Sequence, residues 1–403
     1  MMIFKEISAT VRQFIPRWVL RDVLLPLVVT RLMLVLVGWF ALNLFRQETM
    51  PGIWEIDTRG RQAAIKSQVG PGAYQLVNMW SRWDAGWYLS IARDGYEFKK
   101  GQPSSTAFFP LYPTLVRGMH TFLGSKTHAS ILFAGILVSN LALVAALCYL
   151  YLLTRMEFDE ATAARAVLYV LVFPMTLFFS AVYSESVFIG VVIASFYHAR
   201  KGQWLLAGLF SALAALSRSP GVLLLVPLTL EYLMQRDFQW RKIKLDVLFL
   251  SMGPLALGGH ALYLWERFGN PRAIIDAQSA WGGDPKWPWE MVVHFFRGPI
   301  TIHASGTQSI IDFGFVLIFL VLVAMAAVRL RLCYGVYAII SYFFVTIWGS
   351  YASVPRYVMV IFPVFMFLAL LGRNQSFHTG YIAFASGLAA FFMAAFSLWV
   401  WIA

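Results

Sequence analysis

Trp80-Ser81-Arg82-Trp83-Asp84-Ala85-Gly86-Trp87-Tyr88-Leu89-Ser90-Ile91-Ala92-Arg93-Asp94-Gly95-Tyr96 is a polar and aromatic island in an apolar chain. Of 403 residues, 59% are hydrophobic and 13% charged, and mean hydropathy is +0.67. Soluble domains carry about 25% charged residues. A chain this apolar cannot cover a globule with polar surface, so lipid must cover much of it. The class is an all-α polytopic membrane protein. The net charge of +12 invites a nucleic-acid reading. The basic residues sit in short blocks between apolar runs, as in cytoplasmic loops, and that excludes it.

Counting outward from the island at about 20 apolar residues per crossing gives about eleven spans. They start near Leu24, Ala129, Ala166, Ser186, Trp204, Gly221, Leu245, Ser309, Cys333, Tyr357 and Gly380. With alternating spans, Arg12, Arg17, Arg21, Arg155, Arg165, Arg200, Lys201, Arg241, Lys242, Lys244, Arg329, Arg331 and Arg373 share one side. The short-loop rule makes that side cytoplasmic. The N-terminal stretch shows no cleavage site and reads as a basic segment leading into a retained first span. Residues 1–403 form one membrane domain, with long outer loops at 46–128 and 265–308. Cys148 and Cys333 lie inside apolar runs and offer no disulfide framework.

A helix over 80–93 would gather Trp80, Trp87 and Ile91 on one arc, with Asp84 inside it and Tyr88 at its edge. Arg82 and Arg93 would face away, toward lipid headgroups. A carboxylate on an aromatic face is costly unless paired or used. It can accept a proton from a hydroxyl, cap a helix, or pair with Arg82 or Arg93. The residues alone leave these open. "FFPLYP" (Phe108 to Pro113) has two prolines that interrupt a regular helix. It reads either as a shaped re-entry of the loop into the membrane or as a plain loop end.

"RWDAGWYLSIARDGY" followed by "AFFPLYP" resembles the PIG-V family of GPI mannosyltransferases and their prokaryotic relatives. "FPMTLFFSAVYSESVF" (Phe173 to Phe188), "LSRSPG" (Leu216 to Gly221) and "PRYVMVIFPVF" (Pro355 to Phe365) are similar to later family segments, in order. Pro220 stands where the family usually has Asn, and Ser217 where it has Thr. The compact loops suggest a prokaryotic member in the cell (inner) membrane.

The resemblance implies a GT-C type glycosyltransferase fold with interfacial helices in the first outer loop. It implies a polyprenyl-phosphate sugar, typically mannose, as donor, and chemistry at the non-cytoplasmic face. Asp84 is then the general base for an acceptor hydroxyl on a glycolipid or other molecule, and Trp83 its motif neighbour. Arg218 and Arg356 stand near span ends on the outer side. They suit a departing phosphate through bidentate hydrogen bonds, or they snorkel to headgroups. Glu185 either binds sugar hydroxyls or pairs with Arg218. Trp87, Tyr88 and Tyr183 can stack on a sugar or anchor at the interface. Arg82 and Tyr357 complete the substrate-binding candidates beside these motifs. In the second outer loop, Gln278, Trp281, Asp284 and Trp289 are expected to roof the acceptor. His294 and His303 have no metal-ligand spacing with nearby acids, and the first loop has no DxD pair, so no cofactor and no obligatory metal is expected. A lipid transporter or flippase, or a noncatalytic subunit of a glycosyltransferase complex, would explain the spans equally well. Most acids gather on the outer side, however, which favours a one-sided site over alternating access.

Overall fold

A computed structural model describes residues 16–45, 71–124, 127–279, 285–302, 308–347 and 350–402. Among them, five helices are long and apolar enough to cross a membrane: α1 (Val19–Leu44), α5 (His128–Glu157), α10 (Leu245–Phe268), α13 (Ile310–Arg329) and α17 (Gln375–Ser397). Shorter helices stand between them: α6 (Glu160–Val172), α7 (Glu185–Arg200), α8 (Trp204–Ala215), α9 (Leu225–Met234), α14 (Leu332–Thr346), α15 (Val354–Val358) and α16 (Phe362–Leu371). The two long loops at 46–128 and 265–308 carry α2 (Pro71–Asn78), α3 (Ala85–Asp94), α4 (Leu111–Phe122), α11 (Ala273–Ser279) and α12 (Pro288–Arg297). One parallel pair, β1 (Ile300–Thr301) with β2 (Gln308–Ser309), is the only sheet among the described residues.

A helix stands near each of the eleven expected starts. Helix α6 has 13 residues, and at about 1.5 Å per residue it is shorter than a bilayer core. The short helices are therefore parts of interrupted spans, so a count of continuous helices does not give the number of crossings. Prolines mark the interruptions. Pro174 follows the end of α6, Pro220 opens the 3₁₀ turn Ser219–Leu224 before α9, and Pro355 and Pro363 open α15 and α16. Proline lacks the N–H that the next helical turn needs, but sits well in a first turn.

Helix α5 packs on α7, α7 on α8, α13 on α14, and α1 on α17. Between α6 and α7 the chain runs through residues 173–184 without an α-helix, buried throughout. Backbone carbonyls away from water must find partners within the protein. Arg31 of α1 donates to Thr176 O at 2.9 Å, Leu171 O at 3.2 Å, the Thr176 hydroxyl at 2.6 Å and Ser180 Oγ at 3.1 Å. Ser139 Oγ donates to Ala181 O at 2.7 Å, and the Val182 N–H reaches Trp80 O at 3.0 Å. An arginine of one span thus stabilises the break after α6 in another, where only a 3₁₀ turn, Thr176–Phe179, remains.

Basic loops assigned to one side share one end of the bundle. Glu231 pairs with Arg200 at 3.0 Å and Arg331 at 2.7 Å, and Arg200 also holds Glu157. Asp159 caps α6 through the Thr162 N–H and pairs with Arg373, which together hold its carboxyl below the usual range.

Two loop expectations need correction. The helix over 80–93 is broken. Residues 79–84 form a turn in which Trp83 takes φ 42°, and α3 begins at Ala85. Arg82 therefore does not face headgroups but is buried at 2% exposure. The two prolines of "FFPLYP" do not interrupt a helix; Pro110 caps α4 and Pro113 lies in its first turn, where no N–H partner is missed. Part of the first outer loop, residues 46–70, and Arg12, Trp281, Asp284 and His303 lie outside the described residues.

Replacing Arg31 with Leu leaves two backbone carbonyls and two hydroxyls without their donor. Thermal unfolding in detergent is expected to show a loss of about 3 kcal/mol or more. An unchanged midpoint would mean that Arg31 is not needed by residues 171–180.

Candidate active site

Distant stretches converge on a cavity of about 370 Å³. The turn before α3 supplies Asp84, and α3 itself supplies Tyr88. The strand-like segment before α4 adds Phe108 and Phe109. Ser217 and Arg218 come from the turn after α8, and Arg356 and Tyr357 from α15. Gln278, Phe344 and Trp401 complete the wall.

Asp84 neither caps α3 nor pairs with its neighbours. It sits at the N-cap position, yet its side chain makes no capping bond. Its Oδ2 accepts from Arg356 Nη1 at 2.8 Å, and the side chain keeps 18% exposure toward the cavity. Arg93 pairs instead with the adjoining Asp94. Arg356 hydrogen-bonds through both terminal nitrogens of its fork and turns Nε toward Glu185. Nη1 meets Asp84, Nη2 donates to Tyr357 Oη at 2.9 Å, and Nε lies 3.5 Å from Glu185 Oε1. Rings of Tyr183 and Tyr357 flank it, with centroids 5.2 and 4.8 Å from its guanidinium carbon. Such aromatic faces favour a cation.

Glu185 is fully buried at the start of α7. It binds Arg218 Nη1, so the carboxylate joins both arginines. The pairing with Arg218 weighed from sequence is present, and Glu185 lies behind the cavity wall. Tyr88 Oη meets Ser184 Oγ at 2.9 Å, which ties α3 to the same buried segment. Tyr183 Oη donates to Arg82 O at 3.0 Å and lies in the core.

Of the residues selected from sequence, Asp84, Tyr88, Arg218, Gln278, Arg356 and Tyr357 line the cavity. Arg82, Trp83, Trp87, Tyr183 and Glu185 do not. Trp87 stacks on Phe108 with centroids 5.8 Å apart, one shell back. Trp289 stacks on Trp287 and is 62% exposed, away from the cavity. Arg82 donates to Asn78 O, Ser81 O and Ser397 O, and lies 4.5 Å over the Trp399 ring. Trp83 meets Phe396, Trp399 and Trp401 edge to face. Sequence reasoning missed Phe108, Ser217 and Trp401 as lining residues. The first two lie in stretches already quoted; Trp401 carries no motif.

Three of the five non-glycine residues with positive φ, among the described residues, surround this centre: Trp83 at 42°, Ser353 at 67° just before α15, and Trp399 at 62°. Trp399 occupies the left-handed position after α17, with Val400 N–H bonded to Ala395 O and Trp399 N–H to Phe396 O. Glycine is usual there, and a bulky residue costs about 1–2 kcal/mol. Strain of this kind tends to collect at functional sites.

The described residues contain no group of three His, Cys, Asp or Glu side chains placed to hold a metal. The polar groups at the cavity are one carboxylate, two guanidiniums, two phenols, an amide, an indole and four serine hydroxyls. They can take a proton and hold an anionic oxygen.

The molecule is thus an integral membrane protein with an acid and two fixed guanidiniums at one end of a helical bundle. The family model described as Mannosyltransferase (PIG-V) matches residues 21–254, more than half of the chain, and the chain belongs to that family. Asp84, Tyr88, Glu185 and Arg218 fall inside the matched region. GPI mannosyltransferase 2 of Cryptococcus neoformans, in two strains, is 34% identical over 146 residues, 35% of this chain and 34% of that protein. The match therefore covers about a third of the length of these curated relatives. Among solved structures, ArnT from Cupriavidus metallidurans bound to undecaprenyl phosphate aligns with a TM-score of 0.48 and 16% identity, over 78% of this chain and 59% of ArnT. The Archaeoglobus fulgidus oligosaccharyltransferase tethered with an acceptor peptide gives 0.45 and 13%, over 96% and 56%.

Gly221 fixes where Arg218 stands. A Cβ at Gly221 would lie 2.1 Å from Ala214 O, inside the backbone at the end of α8. Gly221→Ala must push the Ser217–Gly221 turn off that helix. A cost of about 1–3 kcal/mol is expected in thermal unfolding. A variant as stable as wild type would show that the turn can shift freely.

Proposed function

We propose that this protein transfers a mannosyl residue from a polyprenyl-phosphate donor to a hydroxyl of a lipid-linked or other acceptor. It works at the non-cytoplasmic face of a membrane, in a prokaryote the inner membrane, and inverts the anomeric centre. The observation that carries the reading is the 2.8 Å contact between Asp84 and Arg356 at the cavity. It sets a proton acceptor beside a phosphate-matching fork.

In this reading the acceptor oxygen attacks the anomeric carbon as Asp84 takes its proton. The bond from that carbon to the phosphate oxygen breaks, and the polyprenyl phosphate leaves with a second negative charge. Arg356 and Arg218 stabilise that charge. The two guanidiniums supply positive charge where the phosphate departs. The apolar helices offer the carrier's tail a lipid surface. Sidedness rests on the short basic loops, which meet at the end of the bundle away from Asp84.

The decisive variant is Asp84→Asn, nearly isosteric and unable to act as a base. With labelled polyprenyl-phosphate mannose and a host lipid extract, transfer is expected to fall by about 10²–10⁴-fold, with the thermal midpoint retained. Transfer at the wild-type rate would remove Asp84 from the chemistry, and absence of transfer by wild type itself would favour a noncatalytic or transport role. Arg356→Lys keeps the charge, but an ammonium cannot meet Asp84, Tyr357 and Glu185 from three edges of one plane. Its donor KM is expected to rise by about tenfold or more, the loss of one charge-assisted hydrogen bond. Wild-type donor kinetics would leave Arg356 a structural group.

A further inference from the structure

Trp401 lines the cavity with Asp84 and Arg356, although it lies beyond the last transmembrane helix and outside every motif. The residues that hold it there are unusual. Helix α17 ends at Ser397, and the chain turns back through Trp399 in a backbone conformation that glycine prefers. On the other side, Trp83 adopts a second left-handed conformation immediately before Asp84. The two meet edge to face with centroids 5.9 Å apart, and Trp83 meets Trp401 at 5.3 Å. Arg82, nearly fully buried, donates to Ser397 O at 3.0 Å and lies over Trp399. Arg82 and Trp83 thus grip residues 397–401 from one side while Asp84 looks into the cavity from the next position.

We propose that Trp401 is a substrate-contacting residue, the aromatic platform against which the transferred sugar ring lies, and that Arg82 and Trp83 are positioning residues that hold it. This rests on the transferase reading above. The chemistry at the cavity favours the sugar over the carrier's tail. The phosphate belongs at Arg356 and Arg218, the attacked carbon between them and Asp84, and the ring bonded to that carbon is the group nearest the residues beside Asp84. An indole face meets the C–H face of a pyranose well, and Trp brings a large, rigid surface. Two strained tryptophans and a buried arginine in one contact are a costly way to fill space, and a fixed platform beside the base accounts for them.

The test compares wild type, Asp84→Asn, Trp401→Phe and Trp401→Leu, all full-length in detergent, with labelled polyprenyl-phosphate mannose and a host lipid extract. Leu keeps apolar bulk and loses the aromatic face; Phe keeps the face. Trp401→Leu is expected to raise donor KM about 3–10-fold, the loss of one aromatic contact, and Trp401→Phe to stay within about twofold of wild type on the same scale. Inhibition by sugar-free polyprenyl phosphate is expected to be the same for all three proteins with Asp84. Equal donor KM in Trp401→Leu and wild type overturns the proposal, as does equal loss in Leu and Phe. A parallel rise in the inhibition constant for sugar-free carrier also overturns it, because the indole would then hold the tail. If Asp84→Asn is inactive while Trp401→Leu is normal, only this inference fails. If wild type does not transfer, the parent reading fails and takes this one with it.

Discussion

The buried carboxylate of Glu185 is the contact on which the arrangement of the cavity depends. It binds Arg218 and approaches Arg356 within 3.5 Å. Those arginines come from a turn after α8 and from a five-residue helix after α14. Neither element is long enough to fix a side chain by itself. A buried guanidinium without a partner is strongly unfavourable, and removing one member of such a pair typically costs about 3–5 kcal/mol. The ion pairs therefore specify where two short, irregular pieces of chain must sit.

Glu185 can hold that place only because residues 173–184 are held in turn. This stretch is buried and holds only a short 3₁₀ turn at Thr176–Phe179, so the carbonyls that its own N–H groups leave unpaired need donors from elsewhere. Arg31, Ser139 and Ser186 supply donors, and Trp80 O accepts from Val182. The last contact reaches the turn that carries Asp84. A span on one side of the bundle is thereby connected, through hydrogen bonds to an irregular segment, to the acid and both arginines. A regular helix would satisfy its own carbonyls and need none of this. It would also carry its polar side chains around its circumference rather than gather Tyr183, Ser184 and Glu185 at one end.

The readable part of this protein was whatever follows from hydrophobic length and from charge. Apolar runs marked the helices, and basic blocks marked the loops that meet around Glu231. Asp84 stood out as a carboxylate among aromatic rings, and Arg218 and Arg356 as cations near span ends. The interruptions were less readable, since an apolar run looks the same whether its helix continues or breaks. Only Pro174, Pro220, Pro355 and Pro363 signalled them. Arg82 was misread because a helical wheel assumes an unbroken helix, and the wheel fails where Trp83 turns left-handed. Trp401 could not be found at all, because its place in the wall comes from a backbone reversal at Trp399, a tryptophan where sequence rules expect glycine.

The pairing of Asp84 with Arg356 raises a difficulty for the proposed base, because the cation that would hold the departing phosphate is already in contact with the acid. In the proposed transfer the difficulty resolves through the order of charge. When the acceptor's proton reaches Asp84, that carboxyl loses its negative charge. In the same step the departing phosphate gains one. The carboxylate and the phosphate beside Arg356 together carry two negative charges before the step and two after it, and one of them passes from Asp84 to the phosphate. The total charge around the guanidinium does not change, so little reorganisation is needed as the bond to the carrier breaks. Glu185, fully buried, does not take part in the exchange; it pairs with Arg218 and lies 3.5 Å from Arg356, and so keeps both guanidiniums where the proposed transfer needs them for the departing phosphate. A lysine at 356 could balance the charge but could not touch both partners in fixed directions, which is what the proposed transfer asks of a fork.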